Sequence, residues 1–376
     1  MKTDSTRSPI ESLACVEPDC DLYGQPGQGN LTVRKVYGRD KIRYLRCNRC
    51  RVEFSERKGS ALWNTKVREA KAVSVAAHLS EGCSQESIVR LVDVDISVVQ
   101  RLNGVVGKHG RFFHDEHVRE IKVEALEADE RYGFSATKRQ AAWEAEVMDA
   151  KSKLIVAHEQ GRRDEALIRR LYSDAAQRVA DRHALVLFTD GEASYATLFP
   201  EYFGVAYQPR RNGCRGRGNP LGAKFRYRIP RALAHVQIVK RREGARVVEV
   251  DVRYTHGSRK RAWQALDALG YTHPNTSAIE RRNATARAMS IYQVRKSIAF
   301  AHRADVKLNL GWWGVTVYNW CRPHRSLRLP IAAPKGKKST NSALRPWPRE
   351  SLITFSQSGN SCSHRSIQPV PGDNLT

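Results

Sequence analysis

Three carboxylates and four thiols are the residues of this chain whose types and spacing suit chemistry. The carboxylates are Asp129, Asp190 and Glu280. Asp190 ends the apolar run Leu185–Thr189 and is followed by Gly191. A short apolar run closed by a breaker reads as a buried strand, and an Asp there sits at the rim of a sheet. Taken alone, such an Asp is more often a turn former or helix cap. Three carboxylates meeting in a basic protein would repel one another without cations. Two divalent ions roughly 3.5–4 Å apart relieve that repulsion, activating an attacking oxygen on one side and stabilising a leaving oxygen on the other. Hard cations such as Mg2+ or Mn2+ suit oxygen ligands.

The thiols form two hooks, Cys15-x4-Cys20 and Cys47-x2-Cys50. Facing hooks supply four thiolates to one structural Zn2+, which closes a fold too small to hold itself together. The other reading, free thiols, leaves residues 15–55 almost without a core. Gly24, Pro26, Gly27, Gly29 and Asn30 lie between the hooks, before two β-rich segments at Leu31–Tyr37 and Lys41–Arg46. This is the pattern of a zinc ribbon over 13–58, and a four-thiolate site has no open position for catalysis. Cys83, Cys214, Cys321 and Cys362 are scattered.

The elements that must position these groups lie in a chain of 376 residues with 64 Lys plus Arg against 39 Asp plus Glu, a formal charge of +25. Such an excess points to a polyanionic partner, nucleic acid first, although a merely basic protein has the same composition. No run approaches the ~18 apolar residues of a membrane span and no signal-peptide core is visible, so the expectation is a soluble cytoplasmic protein that uses no membrane.

Over 62–112 the texture is helical. Val67, Ala70, Val73, Ala77 and Leu79 recur at helical spacing up to Gly82, Ser84 can cap a second helix, and Asp95 can cap a third from Ile96 to about Val106. This fits a helix-turn-helix, with a plain three-helix module as the alternative. On the third helix Val98 and Leu102 share the expected buried face, leaving Ser97, Gln100 and Arg101 to meet a major groove.

From 118 to 330 the pattern is α/β. Strands are expected at Ile121–Ala128, Ala142–Met148 and Lys153–Ala157, a helix at Asp164–Val179, and then the strand Leu185–Thr189. That order is the order of a ribonuclease-H-like mixed sheet, in which the first and fourth strands are neighbours and Asp129 can meet Asp190. In a strand Glu127 shares the face of Asp129 whereas Glu130 points away, so Glu127 is the rival ligand. An insertion is expected at about 208–272. It comprises a basic loop with Arg210, Arg211, Arg215 and Arg217, a β-hairpin around Glu243-Gly244, and a helix with Trp263, Leu266 and Leu269. Glu280 falls in the first turn of a helix that carries Asn283 and Arg287, both candidate DNA contacts, on the same face and is expected to continue through Val294 and Ile298. A last helix ends at Cys321-Arg322-Pro323-His324-Arg325, where His324 and Arg325 suit packing or phosphate contact. Residues 335–376 read as a disordered tail.

These residues resemble the bacterial insertion-sequence transposases of the DDE superfamily, the branch with an N-terminal zinc ribbon and helix-turn-helix. The resemblance runs over roughly 13–330. It rests on Arg46-Cys47-x2-Cys50, Ala128-Asp129-Glu130, Thr189-Asp190-Gly191, Asn275-Thr276-x2-Ile279-Glu280-Arg281-x-Asn283 and Tyr318-Asn319-x-Cys321-Arg322-Pro323-His324. Tyr132 stands where that family often carries Trp. The resemblance implies binding to the inverted repeats at element ends, cleavage at the 3′ ends and strand transfer into target DNA. It also implies two Mg2+ or Mn2+ ions on Asp129, Asp190 and Glu280, a DNA-positioning role for Glu280 with Arg287, homo-oligomers on double-stranded DNA, a nucleoid-associated location, and no small-molecule substrate. Two other readings stay open: a DNA-binding regulator with an inactive nuclease domain, and a ribonuclease-H-like nuclease or resolvase.

Overall fold

The computed structural model describes residues 9–208, 225–244, 246–294, 298–324, 327, 329–330 and 340–341. Arg210, Arg211, Arg215, Arg217 and Arg325 lie outside the described residues, as does the expected tail apart from residues 340–341. The chain divides into two compact units at Val73/Ser74, inside a helix.

The first unit is built on a three-stranded antiparallel sheet of β1 (Leu31–Tyr37), β2 (Ile42–Cys47) and β3 (Glu53–Ser55). Its apolar core is small, with Leu13, Val16, Leu45 and Phe54 buried. The four hook cysteines form a second cluster beside it. So little apolar area supports the expectation that the fold needs a further tie.

Helix α1 (Glu69–Ser80) leads into the second unit, followed by α2 (Gln85–Val92) and α3 (Ile96–His117). The expected caps are present: Ser84 accepts from the Ser87 N–H at 3.1 Å, and Asp95 from the Ser97 N–H at 2.8 Å. Two expectations need correction. On α1 the buried apolar residues are Ala72, Val75, Ala76 and Leu79; Leu79 is in the anticipated stripe, but Ala72 and Ala76 are buried in place of Val73 and Ala77, because the run is apolar enough to carry two overlapping helical periods. On α3 Val99, not Val98, is buried beside Leu102.

Helix α3 also runs eleven residues beyond Val106 because a later helix packs along it. That helix is α8 (Ala304–Thr316), continued by a π-helical turn at Val317–Cys321. A Cβ at Gly107 would lie 2.3 Å from the Asn309 carbonyl oxygen, and one at Gly110 2.4 Å from the Thr316 hydroxyl. Only the missing side chains permit this approach. Asn103 donates to the Val306 carbonyl at 3.1 Å, and His114 Nε2 to that of Val156 at 2.9 Å.

The sheet follows. Strand β4 is Ala125–Arg131, a small ribbon is made by β5 (Phe134–Ser135) with β6 (Thr137–Ala141), and then come β7 (Trp143–Asp149) and β8 (Ile155–Gly161). After α4 (Glu165–Arg178), β9 (Val186–Thr189) and α5 (Ala193–Phe203), a short ribbon pairs β10 (Val205–Tyr207) with β11 (Arg226–Arg228). Next are β12 (Ala234–Glu243), β13 (Arg246–His256), α6 (Arg259–Leu269) and α7 (Ser277–Met289). The six-stranded order is β13-β12-β9-β4-β7-β8, with β9 parallel to both its neighbours and the other pairs antiparallel. This mixed α/β sheet is compatible with the ribonuclease-H-like expectation.

Alternation sorts its two faces. Leu126, Ala128, Leu187 and Val147 pack with α4 and α5, while Ala125, Val186, Phe188, Val236 and Ile238 pack with Ala262, Ala265 and Leu266 of α6. The hairpin is therefore no insertion: β12 pairs with β9 from Ala234↔Val186 to Gln237↔Thr189, and its first half is wholly buried. A strand with both faces covered belongs to the central sheet. Strand β4 also starts later than expected and runs past Asp129 and Glu130, held by Asp129↔Glu146 and Arg131↔Glu144. Helix α7 stops at Met289, so Val294 and the almost fully exposed Ile298 lie beyond it. Among the described residues no helix is long and apolar enough to cross a membrane.

Candidate functional site

Strands β4 and β9 are parallel with Ala128 opposite Thr189. The next residues, Asp129 and Asp190, are therefore neighbours near the carboxyl ends of adjacent strands, about 5 Å apart in backbone. With Glu130 they form a cluster whose ligand oxygens all lie within 4.8 Å of one another. Asp190 leaves β9 in a turn tightened by the Glu192 N–H, which donates to its Oδ1 at 3.0 Å. A Cβ at Gly191 would stand 3.0 Å from Val239 of β12, which accounts for the glycine. Gln237, also on β12, donates to the Glu192 carbonyl at 2.9 Å. The hairpin expected as an insertion thus braces the Asp190 turn.

The third carboxylate of the cluster is Glu130, on the opposite face of β4 from Asp129. Its oxygens take the Tyr195 hydroxyl at 2.8 Å and Arg163 at 2.6 Å. Arg163 also lies 3.5 Å from Glu192 and 4.0 Å from Asp190. Burial, then the charges of Asp190 and Glu130, lift the Asp129 carboxyl from 3.8 to about 7. Burial and the Glu130 charge lift Asp190 to about 6, against the Glu192 N–H and Arg163. Carboxyls raised in this way gain from a cation, and they mark a candidate site.

Glu280 is not in that cluster. It lies in the first turn of α7, ion-paired with Lys240 of β12 and accepting from the Thr276 hydroxyl at 2.9 Å. Its charge still contributes to the lift of Asp129. Glu127, the anticipated rival ligand, has another task. It faces the N-terminus of α7 and accepts the Ile279 N–H at 2.9 Å, in the position where a helix dipole favours a carboxylate. Burial nonetheless pushes its carboxyl up to about 7.

One turn after Glu280, Asn283 is buried. It donates to Asp129 Oδ2 at 2.8 Å and accepts from Arg131 at 3.0 Å, so its expected contact with DNA is not what its side chain makes here. Arg131 is in turn held by Glu144 at 2.5 Å and Glu146 at 2.8 Å. Glu146 also binds Arg282 and the His158 ring, each at 3.1 Å, while Lys307 and Gln293 reach Glu144. Burial works against the charge on Glu144, but Lys307 and Arg131 outweigh it and hold the carboxyl at about 2. None of this knot was anticipated from the sequence. Its signal was there: charged residues at alternate positions 127, 129, 131 of one strand and 144, 146 of the next.

Ser97, Gln100 and Arg101 are exposed along α3, as the helical pattern anticipates. Arg287 is half-buried on α7, and His324 is half-buried with its ring 6.2 Å from that of Tyr318. Asn319, from the same C-terminal motif, closes the edge of β8 by exchanging hydrogen bonds of 2.9 and 3.0 Å with the backbone of Ile155.

In the first unit Cys15, Cys20, Cys47 and Cys50 bring their sulfurs within 4.8 Å of one another. The Cys15–Cys50 and Cys20–Cys47 separations are 3.6 and 4.0 Å. Zinc–sulfur bonds of ~2.3 Å in a tetrahedron put sulfurs ~3.8 Å apart, so the set fits Zn2+. Asn30 donates to the Cys47 sulfur at 3.2 Å. Burial opposes the Cys47 thiolate, but the Cys50 N–H, Asn30 and the Arg49 N–H outweigh it and bring that thiol to about 7.

No known protein-family model matches the chain, and no curated protein does. Among solved structures, the crystal structure of the Mos1 strand transfer complex is similar over 68% of this chain and 78% of that one. The identity is 8% and the TM-score 0.17, a correspondence too loose to bear on fold or chemistry.

Proposed function

We propose that the chain is a DDE-type DNA transposase, which binds the inverted repeats of its element, cleaves at their 3′ ends and joins them to target DNA. The observation that carries this reading is the meeting of Asp129 and Asp190 on adjacent parallel strands, both with carboxyls lifted towards neutrality. The sequence resemblance over the same motifs supports it. Asp129, Asp190 and Glu280 are the catalytic carboxylates and the holders of two Mg2+ or Mn2+ ions, with Glu130 beside them. Such ions activate a water or 3′-hydroxyl and stabilise the leaving oxygen. Glu280, 41% exposed at its side chain, joins the pair by giving up Lys240. The family pattern also assigns DNA positioning to Arg287.

The exposed Ser97, Gln100 and Arg101 suit a major groove, and the +25 charge suits DNA phosphates. The proposed organisation is a zinc ribbon over 13–58, a helix-turn-helix over 62–112 and a catalytic domain over 118–330, acting as a homo-oligomer on DNA. With Mg2+ and element-end DNA, Asp190→Asn should lower strand transfer by at least about 100-fold. Full activity in that variant refutes the reading. Salt-dependent DNA binding without cleavage by the wild type would favour the regulator, and faster cutting of branched DNA the resolvase.

A further inference from the structure

We infer that Asn283 is a positioning residue for the Asp129 carboxylate, oriented by the buried Glu144–Arg131–Glu146 knot. The inference rests on the proposed metal site. The direction of the chain of hydrogen bonds is forced by chemistry. A guanidinium has donors only, so the Asn283 side chain must turn its oxygen to Arg131 NH1, at 3.0 Å. Its amide hydrogens then face Asp129 Oδ2, at 2.8 Å. Asp129 Oδ1 meanwhile accepts the Glu130 N–H at 2.8 Å. One donor on each oxygen fixes the plane of the carboxylate and leaves each oxygen a further lone pair for a cation.

The orienting group is itself immobile. Arg131 is fully buried between Glu144 and Glu146, and Lys307 from α8 and Arg282 from α7 bind the same carboxylates. Asn283 is 4% exposed, and its described contacts use both ends of its amide inside the protein. A residue of this kind acts on the cation through Asp129 and is closed to DNA bases. The same contacts tie α7, which carries Glu280 in its first turn three residues before Asn283, to the strand that carries Asp129.

The experiment uses the full-length, zinc-loaded protein, with Mn2+ as the probe in the absence of DNA. Groups that hold a ligand carboxylate in place commonly change metal affinity by about 10–100-fold when removed. Asn283→Ala should therefore weaken Mn2+ binding by at least about 10-fold, while affinity for element-end DNA measured in EDTA stays unchanged. Asn283→Leu keeps the volume and serves if the alanine variant fails to fold, which circular dichroism shows. Unchanged Mn2+ affinity overturns the inference, and a loss of DNA affinity with Mn2+ binding intact makes Asn283 a DNA contact instead. Asp190→Asn is the internal control. If it too binds Mn2+ normally, the metal site itself is wrong; if it alone loses Mn2+, only the role of Asn283 falls.

Discussion

The lifted Asp129 carboxyl makes the metal-free protein less stable as pH rises, and Asp129→Asn should remove the share of that dependence which Asp129 carries. The sign follows from proton counts. Unfolded, the carboxyl has its ordinary value of 3.8; folded, it stands at about 7. Between those values the folded chain binds the additional proton, so stability is lost with rising pH, the loss levelling off above about 7. From about pH 5 to about pH 8 the differential is roughly two factors of ten, or at most about 2.7 kcal/mol. Asp129 is half-buried rather than sealed, and its charge is shared with Asp190 and Glu130, so we expect about 1 kcal/mol. The assay is urea unfolding in EDTA at the two pH values, followed by the emission of tryptophans in the sheet unit, among them Trp143, Trp263, Trp312, Trp313 and Trp320. Wild type should weaken relative to Asp129→Asn across the window, and Mg2+ at the higher pH should restore wild type only. An equal response of the two proteins to pH would refute the electrostatic reasoning, whatever their absolute stabilities.

Two further predictions concern the elements around the site. Cys47→Ser should release the zinc, measured as metal content per chain, unfold residues 15–55 and weaken DNA binding, while Mn2+ affinity at the acidic site is unchanged; loss of both metals together would contradict the separation of the two sites. Gly107→Ala should cost about 1–2 kcal/mol of stability. Its methyl would lie 2.3 Å from a backbone oxygen of α8, and overpacking outweighs the ~1 kcal/mol gained in helix propensity. Gly104→Ala is the control, because its nearest neighbour is 3.9 Å away, and it should be neutral or slightly stabilising in the same unfolding assay.

How much could be read from the sequence depends on whether a local pattern had one solution. Capping at Ser84 and Asp95 and the apolar run before Asp190 were legible because each is decided within a few residues. The pairing of Asp129 with Asp190 was legible because the order of strands and helix leaves few topologies. The hairpin was misjudged as an insertion, since alternation describes a solvent-facing ribbon as well as a strand half inside a sheet. Strand β12 is both, buried over Ala234–Ile238 and exposed at Arg241–Glu243. Glu130 was set aside because alternation sends it to the other face of β4. That argument neglected reach: at the end of a strand a carboxylate on either face can bend round to the rim, and Arg163 and Tyr195 hold it there. The buried knot could not be read residue by residue, because Glu144, Glu146, Arg131 and Lys307 look like surface charges until the sheet and α8 enclose them.

The cations around the acidic cluster and Glu280 distinguish these carboxylates. Arg163 is bound to Glu130 and reaches Asp190 at 4.0 Å, while Lys240 is bound to Glu280. Among the described ion pairs Asp129 has none, and its carboxyl is lifted further than that of Asp190. At the proposed metal site a divalent ion reaching Glu280 would displace an ammonium, whereas at Asp129, below about pH 7, it would displace a proton. The first event is driven by charge exchange and should be sensitive to salt; the second is driven by pH. Asp129 is thus the carboxylate that gains most from a cation, and its orientation is also the one most fully specified, by the Glu130 N–H on one oxygen and Asn283 on the other.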